Sequence, residues 1–311
     1  MVDIGVFSIS TFNYPCIILC CMSKKLNPAS RQEIERVKNW LNLEDPITIV
    51  THQFVDADAA FSAALLRVLR PRASLVFTRA DSVISDERML AVDLSEGTQS
   101  VKGLSVGSSF GLILIAIKDI DNPVYNSLKL WAKQLNKTDS GKVCHDNVLL
   151  AELISSWKAL KLDDNQIVSR AEELIRGKLK HEKRQLEQIK LAQEIEIDDN
   201  IAVISGDIRV KSSHIFKQGA LAIIRQSECG QAIQISKVLQ KQEISLLELS
   251  GILPEDWFIH PSGFLACFGS VKAPKNYSDS GIELDDLISI VKTWINSHKQ
   301  NLKEKGIKIG E

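Results

Sequence analysis

Three residues between Ile47 and Ala64 have the types and spacing of a metal-binding turn: His52, Asp56 and Asp58, in the pattern His-x-x-x-Asp-x-Asp. One imidazole and two carboxylates suit a hard or borderline divalent cation such as Mn²⁺, Mg²⁺ or Zn²⁺. Either aspartate could instead N-cap the helix that follows, with the histidine a structural residue. On this motif alone both readings stay open.

The flanking residues say where such a turn would sit. Ile47-Thr-Ile-Val50 is a short β-branched strand, and Ala59–Leu69 is an apolar helix stopped at Pro71. Ligands between them would stand at the mouth of a sheet, held by rigid elements. Before the strand, Ser30 to Leu43 reads as an amphipathic helix with Ile34, Val37, Trp40 and Leu41 on one face, Ser30 as N-cap and Glu33 completing a capping box. Strands are expected at Ser74–Thr78 and Arg88–Leu94, and helices at Val124–Asn136, Asp146–Leu160 and Asp164–Gln193. The last carries Lys178-x-Lys180-His-x-Lys183-Arg184, read as a solvated connector rather than a phosphate-backbone contact. After Asn200 the pattern changes to strands at Ile201–Ser205, Ala220–Arg225 and Gln231–Ile235, closed by a helix at Leu284–His298.

This alternation predicts an α/β fold: a largely parallel sheet with helices on both faces, plus a smaller α+β C-terminal domain joined by a long helix. The expected divisions are 1–21, 22–160, 161–199 and 200–311. Residues 1–21 read as an over-extended start or a disordered tail, with a membrane or targeting element as the alternative. Tyr14–Cys21 is too short to span a bilayer, and Met22-Ser-Lys-Lys opens an ordinary soluble start.

At 311 residues the chain has room for two domains, and a net charge of −1 leaves nucleic-acid contact to local patches. The six cysteines form no C-x-x-C pair, which speaks against a zinc knuckle or a dithiol redox motif. Scattered thiols in a chain of this size fit a reducing compartment, so a cytoplasmic protein without a membrane span is expected.

Two further acids end later elements: Asp93 in Ala-Val-Asp-Leu-Ser-Glu, and Asp121 in Asp-Ile-Asp-Asn-Pro. Each alone is an ordinary turn residue. Right-handed crossovers bring the ends of parallel strands to one edge, so these acids can converge on the first turn.

The order of these motifs resembles the DHH phosphoesterase superfamily, which includes RecJ-type exonucleases, oligonucleotide-degrading enzymes and inorganic pyrophosphatases. His52, Asp56 and Asp58 match its first motif, Asp93 its second and Asp121 its fourth. Asp256-Trp-Phe-Ile-His260-Pro-Ser-Gly263 is similar to the C-terminal signature of the melanocyte-proliferating-gene relatives within that superfamily. The likeness spans most of residues 45–275. It implies metal ligands His52, Asp56, Asp58, Asp93 and Asp121, with Mn²⁺ or Mg²⁺ as cofactor. It also implies a substrate loop of His260, Ser262 and Gly263 with Lys272, and hydrolysis of a nucleotide or a short or single-stranded nucleic acid. A homodimer is left open.

One departure limits this. The Asp-His-His motif that names the family should fall where this chain reads Ser100-Val-Lys102-Gly-Leu-Ser-Val-Gly, without His or Asp. Three readings follow. A single metal supports hydrolysis; or Lys102 supplies the charge of a second ion, so that Asp93, Asp58 and Lys102 carry the chemistry; or the chain binds nucleotide or nucleic acid without turning it over. A blander alternative is an interaction protein whose acids are only caps and turns.

Overall fold

Asn27, not Ser30, starts the first helix, because Pro28 in its first turn needs no hydrogen-bond partner and already has a helical φ. The Asn27 side chain accepts from the Ser30 amide at 2.8 Å, which puts Ser30 one turn inside helix α1, Pro28–Leu41. The computed structural model describes residues 27–94, 97–142 and 149–306. The reading of residues 1–21 lies outside the described residues, as do Cys16, Cys20, Cys21, Cys144 and His145. The chain divides into two compact units, Met1–Glu182 and Lys183–Glu311.

The first unit is α/β. Strands β1 (Thr48–His52), β2 (Ser74–Thr78), β3 (Met89–Val92) and β4 (Ser100–Val101) form one parallel sheet in the order β2-β1-β3-β4. It is flanked by α1, α2 (Ala57–Leu69), α3 (Ser109–Ala116), α4 (Asn122–Asp139), α5 (Leu150–Ala159) and the start of α6 (Asp164–Gln193). Alternation along the strands sorts the apolar residues by face. Ile49, Leu90 and Val92 join Trp40, Phe61, Leu65, Phe110 and Ile113 in the main core. Val50 and Ala91 face the other way, into a smaller cluster with Leu94, Ile84 and Met89.

Strand β4 has only two residues and forms a sheet edge, and α1 secures it from outside. Glu33 Oε1 accepts from the amides of Lys102 at 2.7 Å and Gly103 at 3.2 Å, and the Arg36 guanidinium donates to the Ser100 carbonyl at 2.6 Å. Glu33 therefore builds no capping box with Ser30. It satisfies edge amides that would otherwise lack partners.

The second unit contains β5 (Ile197–Asp198), β6 (Ile201–Ser205), β7 (Ala222–Ser227), β8 (Gly230–Ile235), β9 (Phe258–Ile259) and β10 (Leu265–Phe268), in the order β5-β6-β7-β8-β10-β9. Only β6 and β7 pair in parallel. Short helices α7 (Ser212–Phe216) and α8 (Lys237–Gln240) lie between strands, and α9 (Leu284–Ser297) and α10 (Lys299–Glu304) follow them. Leu287, Val291, Trp294 and Ile295 of α9 pack with Ile224 and Ile233 of the sheet. Helix α6 is one unbroken helix of 30 residues.

Candidate metal centre

Register alone brings two of the candidate ligands side by side. Strands β1 and β3 pair in parallel with Val50 opposite Ala91, so two residues further His52 faces Asp93 at the carboxyl ends of both strands. From β1 the chain goes to β2 on one side and then returns to β3 on the other. The crevice between β1 and β3 is thus the switch point where open α/β sheets bind ligands. Asp56 joins from the turn after β1, and ligand atoms of His52, Asp56 and Asp93 all lie within 4.8 Å of one another.

Each side chain is held by a second contact. His52 Nδ1 is 2.8 Å from the Gln53 carbonyl, so it carries the proton and donates there, and its Nε2 faces Asp93 Oδ2 at 3.2 Å. That arrangement fixes the ring as backbone carbonyls fix the rings of metal-bound histidines, leaving Nε2 to ligate once it loses its proton. Asp56 caps α2, accepting from the Ala59 amide at 3.0 Å with one oxygen. Asp93 sits at φ 55°, a left-handed conformation that aspartate tolerates better than most residues. Lys102, at the end of β4, places its Nζ 2.9 Å from Asp93 Oδ1.

The electrostatics follow from these contacts. The hydrogen bond to Asp93 outweighs burial and raises the His52 imidazolium to about 9. Burial opposes ionisation of Asp93, but His52 and Lys102 together overcome it and hold that carboxyl below its ordinary range. Without a metal the site is thus a carboxylate bracketed by two cations, His52 at 14% side-chain exposure and Lys102 at 36%. The donor set of one fixed imidazole and two carboxylates, one of them clamped by neighbours, fits a divalent cation of the Mn²⁺ or Mg²⁺ type.

The structure does not bring Asp58 or Asp121 into this group. Asp58 is buried, and its two oxygens accept from the amides of Ser109 at 2.7 Å and Phe110 at 2.9 Å, at the start of α3. Burial raises its carboxyl to about 7, against the pull of those amides. Asp121 caps α4, accepting from the Val124 amide at 3.1 Å.

Three neighbours were not read from the sequence as part of this site. Asp164 accepts from the amides of Phe54 at 2.8 Å and Val55 at 3.0 Å, and so clamps the turn between His52 and Asp56. Asp139, at the end of α4, has its carboxyl raised by burial and then by the charges of Asp93 and Asp56. Glu33 positions Lys102 through its backbone. None of the three carries a local motif; a Pro-initiated helix ahead of Glu33 is the one signal that could have released it from a capping box.

In the second unit the His260 loop is well defined. His260 Nδ1 accepts from the Ser262 amide at 3.1 Å, with the Ser262 hydroxyl at 3.0 Å, which puts the ring proton on Nε2. The ring lies 4.5 Å from that of Phe264 and edge-on to Phe258 at 6.3 Å. Gly263 has φ 63°, and a Cβ there would lie 1.7 Å from Ser245 Oγ, so the turn requires glycine. Lys272 is exposed.

No family model matches the chain, and no curated protein matches it. Among solved structures it is similar to RecJ from Thermus thermophilus in complex with Mg²⁺, at 13% identity and a TM-score of 0.28, over 79% of this chain and 50% of that one. It is also similar to the pGpG-specific phosphodiesterase PggH from Vibrio cholerae, at 14% identity and a TM-score of 0.27, over 81% of this chain and 98% of that one. A third is exonuclease RecJ bound to manganese, at 12% identity and a TM-score of 0.27, over 79% and 91% of the two chains. The chain spans half the length of the Thermus RecJ chain. No helix among the described residues is long and apolar enough to cross a membrane.

Proposed function

We propose that this chain is a metal-dependent phosphoesterase of DHH type, hydrolysing a phosphodiester or phosphoanhydride in a nucleotide, an oligonucleotide or single-stranded nucleic acid. The observation that carries this reading is the convergence of His52, Asp56 and Asp93 at the β1–β3 crevice, with Lys102 ion-paired to Asp93.

In this reading His52, Asp56 and Asp93 hold one Mn²⁺ or Mg²⁺. That ion would polarise a phosphoryl oxygen and lower the pKa of a bound water. The Gln53 carbonyl holds His52 Nδ1–H, so Nε2 is the atom that must lose its proton. Asp93 is kept anionic and oriented by Lys102. The Lys102 ammonium stands where it can offset charge gathering on a non-bridging oxygen, as preorganised cations do in phosphoryl transfer. An ammonium does not activate water as a second metal would, so slow turnover is expected. His260 Nε2–H and Lys272 offer donors for anionic oxygen in the second unit. Asp58, which the resemblance implies as a ligand and catalytic residue, accepts from the Ser109 and Phe110 amides and so ties α2 to the start of α3.

The test is hydrolysis of a 5′-phosphorylated dinucleotide with Mn²⁺ by the native chain, by Asp93→Ala and by His52→Ala. Turnover in the native chain, lost in both variants and on chelation, is the expected result. Equal rates in all three would overturn the assignment. A second reading, nucleotide binding without hydrolysis, is favoured by one specific observation, the cation Lys102 on Asp93 in place of an acid or histidine. Dinucleotide binding that survives chelation, with no product, would decide for it.

A further inference from the structure

Phe54 is 82% exposed, although it belongs to the turn that carries the candidate ligands. Its φ is 57°, a left-handed conformation that is a genuine outlier for a bulky residue. Both sides of its peptide are fastened. Asp164 accepts from the Phe54 and Val55 amides, and Lys158 Nζ lies 3.4 Å from the Phe54 carbonyl. Strained residues persist where the surroundings over-determine them, and they cluster at ligand clamps. A single exposed apolar side chain needs no explanation by itself. An aromatic one, held in a strained conformation on an anchored backbone, does.

An open, shallow recess in the surface adjoins this turn, lined by Phe54, Lys158, Leu162, Asp163, Asp164 and Ile167. Its lining mixes apolar residues, Phe54, Leu162 and Ile167, with the charged Lys158, Asp163 and Asp164. Phe54 and Leu162 bring apolar surface to the recess, and Lys158 and Asp163 bring groups that can donate and accept hydrogen bonds. Phe54 is two residues from His52 and two from Asp56, roughly 7 Å of chain either way. One nucleotide, with its phosphate at the ligand cluster, can reach from there to the ring.

We propose that Phe54, with the shallow recess beside it, binds a nucleobase of the substrate by stacking on the ring, while the phosphate lies at His52, Asp56 and Asp93. This rests on the reading of that cluster as a phosphoester site. It makes the chain selective for base-bearing phosphodiesters over base-free ones, without selecting strongly among bases, since every base has a π-face.

The experiment measures binding of a 5′-phosphorylated dinucleotide and of its abasic counterpart to the full chain with Mn²⁺ under conditions of no turnover. The proteins are the native chain, Phe54→Ala, Phe54→Leu and Phe54→Trp, each checked for an unchanged melting temperature. Phe54→Ala should weaken dinucleotide binding by about 5- to 150-fold, the range of one lost base stack, and leave the abasic ligand unchanged. Phe54→Leu should fall between, and Phe54→Trp should match or exceed the native chain. Equal affinity of the native chain for both ligands, or parallel losses for both in Phe54→Ala, would overturn the stacking proposal and leave the phosphoester reading standing. Failure of the native chain to bind either ligand would overturn the phosphoester reading itself, and this proposal with it.

Discussion

Metal binding by this chain should be a competition with a proton on His52. In the metal-free site Nε2 faces Asp93 at 3.2 Å and the imidazolium persists to about 9. At pH 7 only about one molecule in a hundred then presents the free Nε2, a penalty of roughly 3 kcal/mol. Mn²⁺ affinity should therefore rise about tenfold per pH unit from pH 6 to pH 8, with release of about one proton per ion. Isothermal titration at pH 6, 7 and 8, in buffers of differing ionisation heat, reads both quantities together. The same shift has a stability consequence of opposite sign. His52 has its folded value raised above 6.5, so its contribution to the metal-free fold is complete below pH 6.5 and is lost as pH rises through about 9. That loss is roughly 3 kcal/mol. Thermal melts of the metal-free chain should show it, and His52→Gln should abolish it together with the pH dependence of metal affinity. Affinity that is flat from pH 6 to pH 8, with no proton released, would refute the assignment of Nε2 as a ligand.

Other outcomes follow from single contacts. Lys102→Met removes the cation from Asp93 Oδ1; Mn²⁺ should bind more tightly while kcat falls by about 100-fold or more, so calorimetry and turnover should move in opposite directions. Asp58→Asn leaves one of the Ser109 and Phe110 amides without its carboxylate oxygen and should cost about 1–3 kcal/mol in denaturant titrations. Because burial raises the Asp58 carboxyl to about 7, its protonated form favours the fold below pH 3.8 and that advantage fades as pH rises through 7; the Asn variant should flatten this slope. Gly263→Ala, at φ 63° and against Ser245 Oγ, should cost at least about 1–2 kcal/mol and lower the melting temperature without altering Mn²⁺ uptake.

The parallel sheet was legible because β1, β2 and β3 are β-branched or apolar runs bounded by turn residues, and α6 because its pattern is long and uninterrupted. Convergence of His52 with Asp93 could also be expected, since both end parallel strands that turned out to be neighbours. What the sequence could not separate was Asp56 from Asp58. Asp56 is the helix cap and Asp58 lies two residues on, about 200° further around the axis, so one looks out to the crevice and the other into the core. Asp121 was read for its carboxylate, one oxygen of which caps the start of α4. Strand β4 is too short to leave a periodic signal, and its partners are side chains of α1 about 65–70 positions earlier. The Asp164 clamp on Phe54 spans 110 positions and has no local signature at all.

Glu33 gives the first helix a meaning that matters for reading natural variation. A change there would look like a harmless exchange on a helix surface, remote from any ligand in sequence. Because its carboxylate carries the amides of Lys102 and Gly103, Glu33→Lys would replace an acceptor with a charge that repels the very lysine it had seated. Such an allele would disturb the Lys102–Asp93 pair in a chain that is otherwise folded, and would be misfiled if distance along the chain were the guide.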